Sequence, residues 1–454
     1  MSIDKPVPTP TISRVLPDGT TIEILYDGDR ALTSLAVCNS AGEISIETQV
    51  ELPTGERLTP YAPTNNLLTS GCVLLPSGVG EFGNKAALLE QVRAFIHRYV
   101  DLSPLYEEIA AHYVLLSWVH DAFNELPYLR FRGDFGTGKT RALLAVGSIS
   151  YKPFFASGAS TVSPIFHILD EFGSTLILDE ADLRFSDATA DLSKILNNGN
   201  MKGLPVLRTM TNRHRELNPR AFKVFGPKIV GMRESFADEA LESRFLTENT
   251  GGRPLRPDIS IYLPGAMKND AQALRNQLLA WRFAARHSIG IDPDRLIAGV
   301  SHRANQITLP LLSLIDDGAL RDRIAAELVA EEARAFRERA STPELTVLAA
   351  ITEAAAVSPT AHIAVADIAR RVSSKNAGSF ENAITPKTVG SIVRTKLRLP
   401  TVKSNGVYVI PHTARPAIAA LSARHGLSSD NAIDLPNATA VGFIARSAKY
   451  APDA

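Results

Sequence analysis

At 454 residues the chain is longer than one ordinary domain, and about two to four domains are expected. Hydrophobic residues make up 45% and charged residues 21%, enough for a sizeable core, and 48 basic side chains cancel 48 acidic ones, so any attraction for nucleic acid has to come from local patches. Two cysteines, Cys38 and Cys72, exclude a disulfide framework, and the ten histidines fall in no metal-binding spacing. No apolar run reaches the roughly 18 residues of a membrane span. Met1–Pro10 lacks the apolar stretch of a signal peptide, so no membrane association and a cytoplasmic location are expected.

From Thr11 to about Pro60 apolar and polar residues alternate between turn signals, as in Thr21-Ile22-Glu23-Ile24-Leu25-Tyr26, which predicts a small β-rich module over 1–84. Residues 1–60 carry nine acids against four bases, which argues against DNA contact there and suggests a structural or protein-docking role. Leu88, Leu89, Val92, Phe95 and Ile96 recur at helical spacing, and Ser103-Pro104 opens a second helix, giving a helical region over 85–127. Strand and helix patterns then alternate over 128–262, the mark of a parallel sheet with crossover helices. Residues 263–340 read as helices rich in alanine, arginine and leucine, and 426–454 as a weakly patterned tail.

The core opens with Tyr128–Phe131, an apolar strand, followed by Gly133-Asp134-Phe135-Gly136-Thr137-Gly138-Lys139-Thr140 and a helical run from Arg141 to Ser148. This matches GxxxxGK[ST] in full and in the right setting. Glycines let backbone amides wrap phosphates at a helix N-terminus, Lys139 reaches the β- and γ-phosphates of ATP, and the Thr140 hydroxyl ligates Mg2+. Ser174-Thr175-Leu176-Ile177-Leu178-Asp179-Glu180 is a second apolar strand, ending in two carboxylates. Asp179 is assigned to the metal and Glu180 to activation of the attacking water.

Further on come Ile195-Leu196-Asn197-Asn198-Gly199-Asn200, then Phe222-Lys223-Val224-Phe225-Gly226-Pro227-Lys228, then Leu241-Glu242-Ser243-Arg244-Phe245. With these the chain resembles AAA+ ATPases. The last stretch is similar to the LxSRF segment of minichromosome-maintenance-type helicases. Over roughly 88–320 the motif set resembles helicase-like ATPases of mobile elements, often linked to primases. The resemblance implies an AAA+-like P-loop ATPase core with a helical lid over 263–340, assembled as a homo-oligomeric ring, most simply a hexamer. It casts Arg244 as the finger that completes a neighbour's ATP site, and a primase or other replication partner is implied with it. The strand before Arg244 ends in Gly231-Met232-Arg233-Glu234 and lacks the family's usual asparagine sensor; either Arg233 serves instead or the sensing role is absent. Arg303 is the candidate second sensor, contributed to the nucleotide by the lid.

Two basic regions are candidates for DNA. In the resembled helicases a hairpin before the sensor strand grips the nucleic-acid backbone, and Val206–Val224 has that place, with Arg213, His214 and Arg215 at its turn. In 341–425, helices at Pro343–Ala355 and Val365–Val372, a third opened by Thr385-Pro386, and strands around Asn405-Gly406 resemble a winged helix-turn-helix. Residues 342–424 hold ten bases against four acids, and Lys387, Arg394, Lys396, Arg398 and Lys403 are the expected phosphate contacts. The expectation is a ring-forming DNA helicase; a clamp-loader-like or initiator ATPase and a regulatory NTP-binding protein are the alternatives.

Overall fold

A computed structural model describes residues 8–157, 160–179, 187–211, 217–236, 238–252, 255–340, 342–358, 360–375, 385–404 and 406–424. The chain divides into two compact units, Met1–Val329 and Ala330–Ala454.

Near the start of the first unit, Ser13–Val15, Thr21–Asp27, Leu32–Cys38 and Ile44–Glu47 form a four-stranded antiparallel sheet, and Thr9–Thr11, Arg57–Pro60 and Val50–Glu51 a three-stranded one. Two helices follow, α1 (Lys85–Tyr99), capped by the Asn84 side chain, and α2 (Pro104–Trp118), capped by Ser103 with proline at its first position. The central sheet is parallel and has five strands: β1 (Tyr128–Arg132), β2 (Phe154–Ser157), β3 (Leu176–Asp179), β4 (Lys228–Met232) and β5 (Phe245–Asn249). They lie in the order β5-β1-β4-β3-β2. Both faces of this sheet are covered, so its strands read as apolar runs. Leu129, Ile177 and Ile229 face a core shared with α1 and α2, whereas Tyr128, Leu178 and Val230 face a second core on the other side. Parallel neighbours require crossovers, supplied after β1 by α3 (Lys139–Ser148) and after β2 by α4 (Val162–Phe172).

After β3 come α5 (Asp187–Asn198) and an antiparallel hairpin, Val206–Thr211 with Leu217–Phe222. Arg208 pairs with Asp191 of α5 at 2.5 Å and lies 4.4 Å over the Phe166 ring of α4, while Arg220 pairs with Asp170 of α4 at 3.1 Å. The unit closes with α6 (Ala266–Ala285), α7 (His302–Leu312) and the first part of α8 (Gly318–Ala340).

The N-terminal strands are built into this unit. Along Thr21–Asp27, Ile22 and Ile24 join the core of Leu178 and Val230, and Leu25 joins the core of α1 and α2. Glu23, on the face of Leu25, is 1% exposed. Its carboxylate accepts from Arg282 Nε of α6 at 2.8 Å and from the Tyr151 hydroxyl at 2.7 Å, and faces Lys152 Nζ at 2.8 Å. Arg282 also donates to both carboxylate oxygens of Asp121, at 2.8 and 3.0 Å. Glu23, Lys152 and Arg282 are thus paired out of water, as buried charges must be, with the partly exposed Asp121 and Arg286 extending the network. Burial pulls Lys152 down to about 8 against the attraction of Glu23. Part of the acidity counted in residues 1–60 is therefore interior.

The second unit contains α9 (Pro343–Val357), α10 (Val365–Lys375) and α11 (Pro386–Ser391), the last continued by a π-helical turn, Ile392–Lys396, and α12 (Arg415–Arg424). Ile363–Ala364, Val407–Ile410 and Val402–Ser404 form a three-stranded sheet in that order. Val347, Ile351, Ile368, Val389, Val393 and Ile410 belong to its core. The expected tail from residue 426, and Asn405, lie outside the described residues. No described helix is long and apolar enough to cross a membrane.

Candidate phosphate-binding site

The glycine-rich loop leaves β1 at the C-terminal edge of the sheet. Gly133 N–H donates to Met232 O of β4 at 3.2 Å, which ties the start of the loop to the neighbouring strand. Gly136 and Gly138 have φ of 77° and 88°, conformations that glycine alone adopts without strain, and Gly138 is the N-cap of α3. The loop thus delivers the unsatisfied amides of a helix N-terminus to its own concavity. Lys139 Nζ sits on the loop's carbonyls, donating to Gly133 O at 2.7 Å and Asp134 O at 2.6 Å. Phe135 at the tip is 88% exposed, with the Arg233 guanidinium 5.9 Å from its ring.

The Thr140 hydroxyl donates to Asp179 Oδ2 at 2.7 Å. The two residues are 39 positions apart in sequence, and the fold brings them together because β3 lies one strand from β1 with β4 between. Gly231 of β4 makes that approach possible: a Cβ there would stand 3.0 Å from Asp179 Oδ1 and 2.8 Å from Leu143 Cδ1. A hydroxyl and a carboxylate converging at a phosphate-sized loop are hard oxygen donors, the set that suits Mg2+ alongside phosphate oxygens and water. Glu180 lies outside the described residues.

The turn after β5 closes on the loop. Thr137 Oγ1 donates to Asp134 O at 2.8 Å and lies 2.8 Å from Thr250 Oγ1. Side chains at Gly133 or Gly251 would forbid this, their Cβ positions falling 2.5 Å from Thr250 Oγ1 and 2.4 Å from Thr137 Cγ2. Beside the loop opens a cavity of about 1100 Å³, walled by Leu102, Tyr106, Gly138, Arg141, Gly251 and Ile261 among others. Arg141 is fixed there by Nε donating to Tyr99 O at 2.6 Å, and burial lowers its pKa. Neither Arg141 nor the Thr250–Gly251 turn is singled out by the sequence, where the only trace of the turn is the Gly251-Gly252 pair.

The two other arginines assigned to nucleotide lie elsewhere. Arg244 immediately precedes β5, whose first residue Phe245 pairs with Tyr128, so it stands at the N-terminal edge of the sheet. It is one strand length, roughly 16 Å, from the loop of its own chain. Arg303 is at that edge too: Gln306, on the next turn of α7, donates to Glu125 just before β1 at 3.1 Å. Burial, and then repulsion from Arg303, lower the Arg244 pKa. Arg303 is thus not brought to its own chain's glycine loop, because α7 reaches the opposite edge of the sheet.

Arg213, His214 and Arg215 lie outside the described residues, between strands whose last pair is Thr211 with Leu217. In the second unit Lys387, Arg394, Lys396, Arg398 and Lys403 are all exposed. Arg394 lies 5.8 Å over the Tyr408 ring, and Tyr408 pairs across the hairpin with Lys403.

No family model matches the chain, and no curated protein does. Among solved structures it is similar to the apo C-terminal region of NrS-1 (13% identity, 86% of this chain and 95% of that one, TM-score 0.38). It is also similar to the active helicase Cch of SCCmec type IV (11% identity, 90% and 97%, TM-score 0.28) and to JCV helicase (15% identity, 47% and 63%, TM-score 0.24). At these scores the likeness is coarse.

Proposed function

We propose that this chain is an ATP-hydrolysing motor of the AAA+ type that works on DNA as a ring of identical subunits. The observation that carries the reading is the Thr140–Asp179 contact at the mouth of the glycine loop. Triphosphate oxygens displace the loop carbonyls from Lys139, and the amides of α3's first turn take the remaining phosphate contacts. Thr140 and Asp179 hold magnesium, whose chemistry here is to neutralise phosphate charge. Glu180, next in sequence to Asp179, orients the attacking water, and the adjoining cavity receives the nucleoside. Arg244 is too far from its own loop to act there; a neighbour's loop is the site it completes, which supports the ring.

The second unit is read as a winged helix-turn-helix, with α10 and α11 as the helix pair and Val402–Ile410 as the wing. Its exposed cations, with those at the hairpin turn, hold phosphates without reading sequence. α6, α7 and the start of α8 are read as the lid.

The test is ATP turnover with and without DNA, alongside strand displacement. Hydrolysis stimulated by DNA and coupled to strand separation is expected. Stimulation without strand separation would point to an initiator-like switch, and hydrolysis indifferent to DNA would defeat the motor reading. Arg244→Ala subunits mixed with wild type are expected to depress activity more than their share; simple averaging would remove the ring.

A further inference from the structure

Two sequence motifs, Ile195–Asn200 and Phe222–Lys228, have no part in the phosphate site, yet the fold brings them together around Arg244. The last turn of α5 and the residues just after it hold the guanidinium on two sides. Asn197 Oδ1 accepts from Arg244 Nη1 at 2.9 Å, Asn197 O from Nη2 at 3.3 Å, and Asn200 Oδ1 from Nε at 2.9 Å; Ala240 O also accepts from Nη1. Four of the five guanidinium N–H groups are thereby committed. One on Nη2 is left without an acceptor among the described residues.

Asn200 is 2% exposed, and its Nδ2 has no partner among the described residues. A buried amide left half satisfied calls for a reason, and the reason here is its Oδ1, aimed at Arg244. The turn is itself locked from beneath. Lys228 Nζ, buried at the start of β4, donates to Gly199 O at 3.2 Å, Val224 O at 2.9 Å and Gly226 O at 3.0 Å. Gly226 N–H donates to Gly199 O at 3.1 Å, and a Cβ on Gly199 would lie 2.6 Å from Val224 O and 2.7 Å from Ile195 O, so the backbone around this turn position requires glycine.

We infer that the Asn197–Asn200 turn, clamped by Lys228, is a preformed holder that fixes the direction of Arg244 toward a neighbouring subunit's triphosphate, with Asn197 and Asn200 as positioning residues. The inference rests on the reading of Arg244 as a finger. A long arginine side chain has many rotamers, and holding one of them removes the entropy of finding it during turnover.

The test is a double-mutant cycle on the full chain, reading kcat, KM for ATP and thermal melting. Asn197 is the residue to change because it is partly exposed and its loss leaves the core intact. Asn197→Ala should lower kcat roughly tenfold to a hundredfold, as misplacement of a reacting group does, with KM within about twofold. Asn197→Ala/Arg244→Ala should be no slower than Arg244→Ala alone. A kcat for Asn197→Ala near wild type, with Arg244→Ala strongly impaired, would overturn the holder and leave the finger standing. Multiplying effects would also overturn it, since the residues would then act independently. An Arg244→Ala protein of unchanged kcat would remove the finger and the holder together. Should Asn197→Ala melt early, Asn197→Ser, equally too short to reach the guanidinium, carries the same expectations.

Discussion

Gly231 shows how far a single missing side chain shapes the phosphate site. With no Cβ on β4 at this point, Asp179 and Leu143 both come within contact of the strand. Gly231→Ala should shift the carboxylate away from Thr140 and lower ATP turnover at least about tenfold, while overpacking costs stability only about 1–3 kcal/mol. Kinetics at varied magnesium, beside a melting curve, check this; full turnover would mean that the Thr140–Asp179 contact is dispensable. Sequence made Asp179 and Thr140 legible, since each sits in a motif whose spacing carries its chemistry. It left Gly231 as a missing sensor, because the reason for glycine is a neighbouring strand's side chain. Arg303 depends on the same kind of information: its sequence setting puts it on a helix, but only the packing of α7 decides that the helix reaches the edge of the sheet where Arg244 stands.

At the scale of elements, the hairpin is joined through its root to the helix that follows β3. α5 follows the strand that ends in Asp179, and Asp191 on α5 holds Arg208 of the hairpin, itself stacked on Phe166. The pair is partly exposed, so Asp191→Asn should cost stability no more than about 1 kcal/mol. If the hairpin grips DNA, the same change should leave basal hydrolysis nearly untouched and reduce its stimulation by DNA about fivefold or more, the size of a typical coupling between sites. Undiminished stimulation would mean that the root transmits nothing. Strand periods, the helix caps and the three-helix order of the second unit could all be read in advance because they depend on local spacing and capping chemistry. The third helix is shorter than its sequence pattern, ending at Ser391 and continuing as a π turn. The bracing contacts could not be read, because ion pairs between elements leave no periodic trace.

Across the whole first unit, the N-terminal strands and the ATPase-like core share two hydrophobic clusters and one buried charge network. A chain lacking residues 1–84 should therefore fail to fold, and Glu23→Gln, which leaves Lys152 and Arg282 without their shared carboxylate, should cost about 3 kcal/mol or more in urea unfolding. His120, beside this network, is buried and pushed down to about 4 from an ordinary value near 6.5. Between those values the unfolded chain binds a proton that the folded one does not, so stability should fall by up to about 3 kcal/mol as pH drops from 6.5 to 4. His120→Gln should flatten that part of the profile; an unchanged slope would place its origin elsewhere. The acidic composition of residues 1–60 suggested a structural or protein-docking role, and a charge count cannot tell that Glu23 among those acids is interior.

The most direct measurement is ATP binding and hydrolysis with magnesium by the purified protein and by Lys139→Ala. Measurable affinity and turnover in the wild type, with turnover abolished in the variant, are predicted. A wild-type protein with no affinity for ATP, or a variant that hydrolyses it at the full rate, would contradict the assignment of the glycine loop and of every role placed around it.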